Sequence, residues 1–417
     1  MRFMRLEFEI AHRMARSSSG ARRSVMERIA IFSVALSLAV MLLSMAVIVG
    51  FKVELSRKVG DLASHITLCD VRSLRSTEGE PIRRSQRLEE LIGSIDGFDH
   101  LSPYALHGGI VRTADAVEGV VLKGVDGDYD FTPFGEWLIE GELPRVADSV
   151  RTKDLLLSKR LSERLQVKSG DRIEVLFVRG DEPPFRDRFK VSGIYSSGID
   201  EMDSKLVFTD LRNVQRISKM ETDQVTGYEI FIDQLADAPR LAGRLDRALL
   251  YDESDEWANL TAQSVQERYP HLFDWLKAHD VNAVVILTIM LVVAFFNMAA
   301  ALLILVMEQI RTIGILKALG MQHASLRRIF LYRAAGIALR GLVWGNLVGG
   351  AICWIQATFA PLKLDPEGYL LSEVPISISP VWWLLLNVGF VVAILLLMLL
   401  PASVVSTVKP DETMRYE

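Results

Sequence analysis

The chain has 417 residues, of which 50% are hydrophobic and 24% charged, and its formal net charge at pH 7 is −5. A mean hydropathy of +0.24 is high for a soluble globular protein. The apolar residues are concentrated in four runs, so we expect a membrane protein without a nucleic-acid partner. Cys69 lies outside these runs and Cys353 inside the third, so we expect no disulfide framework.

The first apolar run, residues 29–51, contains no charged residue. As a helix it would span roughly 35 Å, enough for a bilayer core of about 30 Å. It is longer than the core of a cleaved signal peptide, and no small-residue cleavage site precedes Lys52, so we expect it to be retained. Further runs at residues 281–307, 341–360 and 382–400 are each long enough to cross.

Basic residues predict the orientation of these helices. Seven arginines precede the first run, and the loop after the second run holds Arg311, Lys317, Arg327, Arg328 and Arg333. The loop between the third and fourth runs offers only Lys363. By the positive-inside rule, both termini and the loop after the second helix are cytoplasmic, and the large insert is periplasmic.

The predicted fold is an α-helical membrane protein with four transmembrane helices and a large α+β extracytoplasmic domain inserted between helices one and two. The predicted segments are an amphipathic N-terminal segment (1–28), helix one (29–51), the periplasmic domain (52–280), helix two (281–307), a cytoplasmic coupling helix (308–333), helix three (334–360), a periplasmic loop (361–381), helix four (382–400) and a cytoplasmic tail (401–417).

The insert is predicted to contain two lobes. An outer α+β lobe combines residues 52–107 and 211–280, and an inner, mainly β lobe covers 108–210. The outer lobe has strand patterns at 65–71 and 228–234 and helix patterns at 84–95 and 235–250. The inner lobe is rich in β-forming residues and glycine, with one helix that we expect Gly170 to close.

A hairpin is predicted within the inner lobe, between strands at residues 172–178 and 188–195. Its connection reads RGDEPPFRD, and Pro183 and Pro184 remove backbone donors and favour an extended or turning conformation. The pattern fits either a stiff, projecting tip or an ordinary surface loop.

The sequence offers no catalytic or metal-binding motif. It contains no G-x-x-x-x-G-K-[ST] phosphate loop and no G-x-G-x-x-G, H-E-x-x-H or G-x-S-x-G pattern, so we expect no enzyme activity and no cofactor in this chain. The seven histidines lack ligand spacing, and we interpret His271 and His279 as solvated residues.

Three patterns concern helix packing and the membrane surface. Gly341, Gly345 and Gly349 recur every four residues, which predicts a helix face that a second backbone can approach closely. Arg340 precedes them and is expected at the cytoplasmic interface. Residues 3–16 place apolar and basic side chains as in an interfacial amphipathic helix.

The loop between helices two and three reads EQIRTIGILKALGMQHASLRRIF at residues 308–330. Its segment IGILKALG predicts a short helix with apolar residues beside basic ones. Such a helix fits docking to a soluble protein, and it equally fits a helix that lies on anionic lipid head groups.

This loop resembles the coupling-helix segment of ABC permeases of the macrolide-exporter type, which include FtsX-like and lipoprotein-releasing (Lol) permeases. The resemblance implies docking to a separate ATPase subunit that carries ATP and Mg²⁺. The docking residues would be Glu308, Arg311, Ile313, Gly314, Ile315, Leu316, Lys317, Leu319 and Gly320.

Three further stretches resemble the Lol branch: LEFEIAHRMARS with GFKVELSRKVGDLASHITL, LKGVDGDYDF with LLLSKRLSERLQVKSGDRIEVLF, and RFKVSGIYSSGIDEMDSKLVFTDL. The resemblance implies that the hairpin, residues 179–187, recruits a periplasmic lipoprotein carrier. The contacts would be Pro183, Pro184, Phe185 and Arg186. The tail PDETMRYE resembles the family ending beside the ATPase.

The implied function is ATP-driven extraction of lipoproteins from the outer leaflet of the inner membrane, with a second permease copy or paralogue completing a dimer. A substrate cavity between helices one and two is expected at Met41, Met45, Ile48, Phe295 and Met298, with Ser37, Ser44 and Ala299 nearby. An exporter of a drug, peptide or toxin and a permease that signals to a cell-wall hydrolase share this layout and remain alternatives. A membrane-anchored scaffold would not need the cytoplasmic helix.

Overall fold

The computed structural model describes residues 21–399 except positions 77, 114–115, 147–150, 180–181, 252–256, 309–313, 317–318, 365–370 and 372. The predicted amphipathic helix at residues 3–16 and the C-terminal tail lie outside the described residues. The chain divides into two compact units. The helical unit comprises Met1–Val53, Leu276–Lys363 and Glu373–Glu417, and the inserted domain comprises Glu54–Trp275 with Leu364–Ser372.

Eleven α-helices are assigned among the described residues. In chain order they are α1 (Ala21–Ala63), α2 (Gln86–Gly93), α3 (Thr132–Trp137), α4 (Lys159–Leu165), α5 (Asp200–Asp203), α6 (Leu211–Ser218), α7 (Ala238–Leu250), α8 (Val265–Arg268), α9 (Pro270–Glu308), α10 (His323–Phe359) and α11 (Pro380–Leu397).

Four of these helices, α1, α9, α10 and α11, are long and apolar enough to cross a membrane within the part of the chain that the structure describes. The first extends well past the predicted end at residue 51. Arg57 explains part of this extension, because it pairs with Glu54 and Asp61 one turn away on either side at 2.7 and 3.3 Å. Such pairs support a helix after the apolar run has ended.

Twelve strands are assigned in the described part of the inserted domain. They are β1 (Ile66–Asp70), β2 (Ile82–Arg83), β3 (Phe98–Arg112), β4 (Val117–Val125), β5 (Leu138–Gly141), β6 (Asp154–Ser158), β7 (Arg172–Phe177), β8 (Phe185–Tyr195), β9 (Leu206–Asp210), β10 (Gln224–Val225), β11 (Gly227–Ile232) and β12 (Leu260–Ser264).

Ten strands join in one sheet of order β12-β1-β11-β3-β4-β9-β6-β8-β5, with β7 pairing to both β3 and β8. The pair β4–β9 and the pair β6–β8 are parallel. Strand β3 is 15 residues long, so it pairs with β11 near its start and with β7 at Ile110–Arg112 near its end. The predicted lobe boundary at 107/108 therefore falls inside one strand, and the sheet is continuous across it.

The main core of the inserted domain lies where helices cover the sheet. Leu88 and Ile92 of α2, Val214 and Ile217 of α6, and Leu241 of α7 pack into it with apolar strand residues. Asp210 caps the start of helix α6: its side chain accepts from the N–H of Arg212 and so satisfies a free donor of the first turn. The apolar residues that recur at helical spacing in 84–95 and 235–250 are the ones that α2 and α7 bury against the sheet.

The helix expected to be closed by Gly170 ends earlier. Helix α4 stops at Leu165, and Gln166 adopts the left-handed conformation with φ of 54°. The N–H of Val167 donates to the carbonyl of Ser162, which completes the helix end. The prediction for Gly170 is wrong, because that glycine, with φ of 94°, forms the next turn and donates to Val191.

Candidate docking and transport sites

The docking segment, residues 308–320, ends in a tight turn. Residues 314–316 are helical, and the N–H groups of Leu319 and Met321 donate to the carbonyls of Ile315 and Leu316 at 3.0 Å each. Gly320 has a φ of 84°, a left-handed conformation that glycine adopts without steric cost. The predicted helix therefore has a defined end at Gly320.

Two apolar side chains of the docking segment face outward. Ile315 is 57% exposed and Leu319 is 79% exposed, and their spacing of four residues puts them side by side on a helical turn. Leu316 is partly buried and Gly314 is buried. Arg311, Ile313, Lys317 and the side chain of Glu308 lie outside the described residues.

The hairpin is longer in its strands and shorter in its connection than the sequence predicts. The ladder of β7 and β8 continues to the pair Phe177 and Phe185, so only residues 178–184 connect the strands. Pro183 and Pro184 are exposed, as is Arg186. The expected connection at 185–187 is wrong because those residues continue the pairing of β8.

Phe185 is partly buried rather than presented to solvent. Its ring stacks on that of Phe177 with centroids 5.3 Å apart, and the guanidinium of Arg179 lies 4.3 Å from its ring centroid. Phe185 also packs against the domain core. Its position favours a role in holding the hairpin, and the exposed surface of the tip comes from the prolines.

Ion pairs tie the hairpin to the sheet and to α6. Asp187 is 9% exposed and pairs with both Lys153 and Arg216. Glu182 pairs with Lys219 at 2.7 Å, and the hydrogen bond from Lys219 lowers the pKa of the Glu182 carboxyl. These contacts cross long sequence distances, so composition alone gave no signal for them.

A basic face lies beside the hairpin, on the outward side of β3, β7 and β8. Its depression is lined by five basic and three acidic side chains: Arg112, Lys153, Arg172, Arg188, Lys190, Asp154, Asp171 and Glu174. The ladder sets Arg172 opposite Lys190 and Glu174 opposite Arg188. A surface with this excess of positive charge favours a negatively charged partner.

The glycine repeat of α10 lies against α1. A Cβ atom added at Gly341 would stand 2.5 Å from Cγ1 of Val34, one at Gly345 would stand 2.9 Å from the Ala35 carbonyl oxygen, and one at Gly349 would stand 3.2 Å from Cα of Ala39. These distances leave no room for side chains. At the end of the same interface, Arg340 pairs with Glu27 of α1.

The residues proposed for a substrate cavity are distributed between different environments. Met41 and Met298 are 6% and 1% exposed and fill the packing of the chain's own helices, and Phe295 packs against them. Met45 lines a small cavity with Trp382 and Trp383 of α11. Ile48 is partly buried.

Comparison with protein families identifies the chain. The model described as the MacB-like periplasmic core domain matches residues 29–248, more than half of the chain, and the model of the FtsX-like permease C-terminal region matches residues 284–410. The chain therefore belongs to the family of permeases with a MacB-like periplasmic core domain. Its four apolar helices and periplasmic core domain make it a membrane permease.

Curated relatives of the permease confirm the resemblance to Lol permeases over nearly its full length. The lipoprotein-releasing system transmembrane protein LolC of Xylella fastidiosa (strain 9a5c) is 24% identical over 93% of both chains. LolE of Haemophilus influenzae is 22% identical over 91% of this chain and 92% of its own. LolC of Neisseria meningitidis is 21% identical over 94% and 95%.

One polar contact of the permease was missed by sequence reasoning. Asn297 of α9 donates to the Ser33 hydroxyl of α1 at 2.5 Å, and Asn297 is itself exposed between the exposed apolar side chains of Val293 and Phe296. A carboxamide in the middle of an apolar run was the available signal. It marks the α1–α9 face as one that offers a polar group at membrane depth.

Proposed function

We propose that this permease is the membrane subunit of an ATP-driven complex that extracts lipoproteins from the outer leaflet of the inner membrane and passes them to a periplasmic carrier. The observation that carries the proposal is the match to lipoprotein-releasing system proteins over 93% of both chains. Both termini would be cytoplasmic and the inserted domain periplasmic, in keeping with the basic residues of the loop after α9.

Energy for extraction would come from a separate ATPase. Withdrawal of acyl chains from a bilayer costs about 0.8 kcal/mol per CH₂, and the sequence has no phosphate loop to bind ATP. The exposed side chains of Ile315 and Leu319 supply apolar anchors for such a subunit, which would hold ATP and Mg²⁺. Glu308, Arg311, Ile313 and Lys317 would complete the contact.

The periplasmic carrier would meet the hairpin. Pro183, Pro184 and Arg186 are exposed there, and the basic face beside them would attract a carrier surface that is negatively charged. Phe185 would act by holding the strand ends together under Arg179.

The lipid-bearing end of the substrate would lie against α1 and α9 beside a second permease copy or paralogue. The methionines at positions 41, 45 and 298 would adapt to acyl chains if the helices separate.

Site-specific photo-crosslinking in cells tests the proposal. We would place the crosslinker at Leu319 and at Pro184, both exposed, and at exposed Leu250 as a control. We expect an ABC ATPase at Leu319, a soluble lipoprotein carrier at Pro184 and neither at Leu250. A channel or membrane-fusion protein at Pro184 would instead favour an exporter, and a cell-wall hydrolase would favour a signalling permease.

A further inference from the structure

A polar cavity of about 260 Å³ lies within the inserted domain and involves neither the hairpin nor the docking segment. Tyr104 and Leu106 of β3, Lys123 of β4 and Glu229 of β11 occupy one face of the sheet, because Glu229 pairs with Ser102 and Lys123 pairs with Leu106 in the ladders. The lining also includes Val121, Met202, Leu206, Arg268 and Tyr269.

Glu229 brings an incompletely satisfied carboxylate to this cavity. Its Oε1 accepts from the Lys123 ammonium at 2.6 Å, and the two side chains are 5% and 4% exposed. The other oxygen, Oε2, is buried and accepts no hydrogen bond among the described residues. A buried acceptor without a donor destabilises the fold, and more so when it is charged.

Two aromatic rings lie beside the ammonium of Lys123. Besides its contact with Glu229, its ammonium lies 5.1 Å from the ring centroid of Tyr129 and 5.2 Å from that of Phe208. Burial lowers the pKa of this ammonium, and the Glu229 carboxylate opposes that shift. The acceptor that this ion pair leaves without a hydrogen bond among the described residues is Oε2 of Glu229.

Arg268 brings a positive charge to the same cavity. It is the last residue of α8, its Nη1 donates to the Thr67 hydroxyl at 3.0 Å, and its guanidinium lies 5.9 Å from the ring centroid of Tyr269. Within the described ranges, no carboxylate lies within 4.0 Å to form an ion pair with it. A guanidinium has five N–H donors; Thr67 and Tyr269 each take one, and the charge of Glu229 also acts on it, so the other donors can meet an anionic group.

These two groups require opposite partners within one small space. We propose that the cavity binds a free apolar α-amino acid, whose ammonium donates to Oε2 of Glu229 and whose carboxylate lies against Arg268. The walls at Val121, Met202 and Leu206 would contact its side chain. An inorganic anion would leave Glu229 unsatisfied, and a cation would meet the charges of Arg268 and Lys123.

The chemistry of the ligand can be tested on the unmodified protein. We would measure thermal stabilisation of the full-length permease in lipid nanodiscs with each natural amino acid, and then titrate leucine, leucinamide and 4-methylpentanoate by calorimetry. We expect binding of apolar amino acids, with each analogue about tenfold weaker because it lacks one charged contact. Three results would overturn the proposal: binding of 4-methylpentanoate as strong as that of leucine, binding of inorganic phosphate in place of amino acids, or no binding of any amino acid.

Matched variants locate the site. Glu229→Gln and Arg268→Gln should each weaken amino-acid binding about tenfold, whereas Glu163→Gln and Arg164→Gln change exposed side chains of α4 and should bind as the unmodified protein does. Since Glu229→Gln leaves Lys123 buried without its carboxylate, circular dichroism would check its folding, and Arg268→Gln gives an independent result. Unchanged binding in folded variants would contradict the assignment. None of these outcomes depends on lipoprotein release.

Discussion

The hairpin and the docking segment are the two surfaces at which we propose that the permease meets soluble partners, and they are built differently. The hairpin is fixed from behind by Asp187 and Glu182, which pair with basic side chains of α6 and neighbouring positions, and it is flanked by a basic face. The docking segment instead exposes Ile315 and Leu319 beside a glycine turn. Charge should therefore dominate recognition at the first surface and apolar contact at the second.

The largest effect is expected for Gly320→Pro at the end of the docking segment. Proline requires a φ near −65° and cannot adopt the 84° of Gly320. We expect loss of ATPase co-purification and of transport-coupled ATP hydrolysis, with membrane insertion unchanged. Gly320→Asn is the control, because asparagine tolerates the left-handed conformation. Normal co-purification of the proline variant would show that the turn is not needed.

Leu319→Asp should have the next largest effect, because it removes an exposed apolar anchor without changing the backbone. A central anchor contributes about 2 kcal/mol, so we expect roughly 30-fold weaker ATPase binding. Binding of the purified ATPase to nanodiscs measures the change, and Leu362→Asp, at another exposed leucine, is the control. Similar affinity for both variants would mean that the segment docks by charge alone.

At the hairpin, Asp187→Asn should lower the free energy of unfolding of the inserted domain by about 1–3 kcal/mol, because it removes the carboxylate that Lys153 and Arg216 share. Crosslinking to the carrier from Pro184 should fall, while ATPase binding stays unchanged. Arg186→Gln changes a side chain that is 64% exposed and should alter stability little. Loss of ATPase binding in the Asp187 variant would contradict the separation of the two surfaces.

The smallest effect is a pH dependence confined to the hairpin side. Burial lowers the pKa of His107, with Glu78 acting in the opposite direction and Arg179 in the same one. The unfolded histidine, with a pKa of about 6.5, therefore takes up a proton first as the pH falls. Stability from this group is complete above about pH 6.5 and is lost below it, by at most about 1.4 kcal/mol per pH unit.

Thermal melting of the permease at pH 7.5 and at about pH 5.5 measures this dependence. His107 contacts Ser218 and the ring of Phe177 at the hairpin base, so acid should weaken carrier crosslinking before ATPase binding. His107→Gln should reduce the slope. An equal slope in that variant would assign the effect to other groups, first to His65, whose pKa burial also lowers. Burial raises the pKa of Asp61 and of Asp203 to about 6, so these two carboxyls contribute a slope of the opposite sign in the same range.

Features that depend on neighbouring residues were predictable from the sequence. The four apolar helices and the glycine repeat of α10 follow from composition and spacing. The strand pattern at residues 65–71 contains β1 and that at 228–234 overlaps β11, because β-forming apolar residues mark both segments. The left-handed turn at Gly320 coincides with a glycine that bounds the docking segment.

Features that depend on distant residues were not predictable. The end of α4 is a local exception: Gln166 ends it, with Val167 and Ser162 hydrogen-bonded to each other, whereas the sequence pointed to Gly170. Phe185 seemed part of a loop until its pairing with Phe177 was known. In the sequence, Glu229 is a single polar residue within an apolar strand. The pairing of the strands brings it beside Lys123 and into the same cavity as Arg268.

The length of β3 determines how the inserted domain bears a mechanical load. Because this strand pairs with β7 of the hairpin over Ile110–Arg112 and with β4 from Tyr104 to Arg112, a pull on the hairpin along the strands passes through three residue pairs into a ladder of nine. Their hydrogen bonds are then sheared together instead of being unzipped one after another. A domain joined in this way can transmit a stroke through its sheet without first losing its own fold.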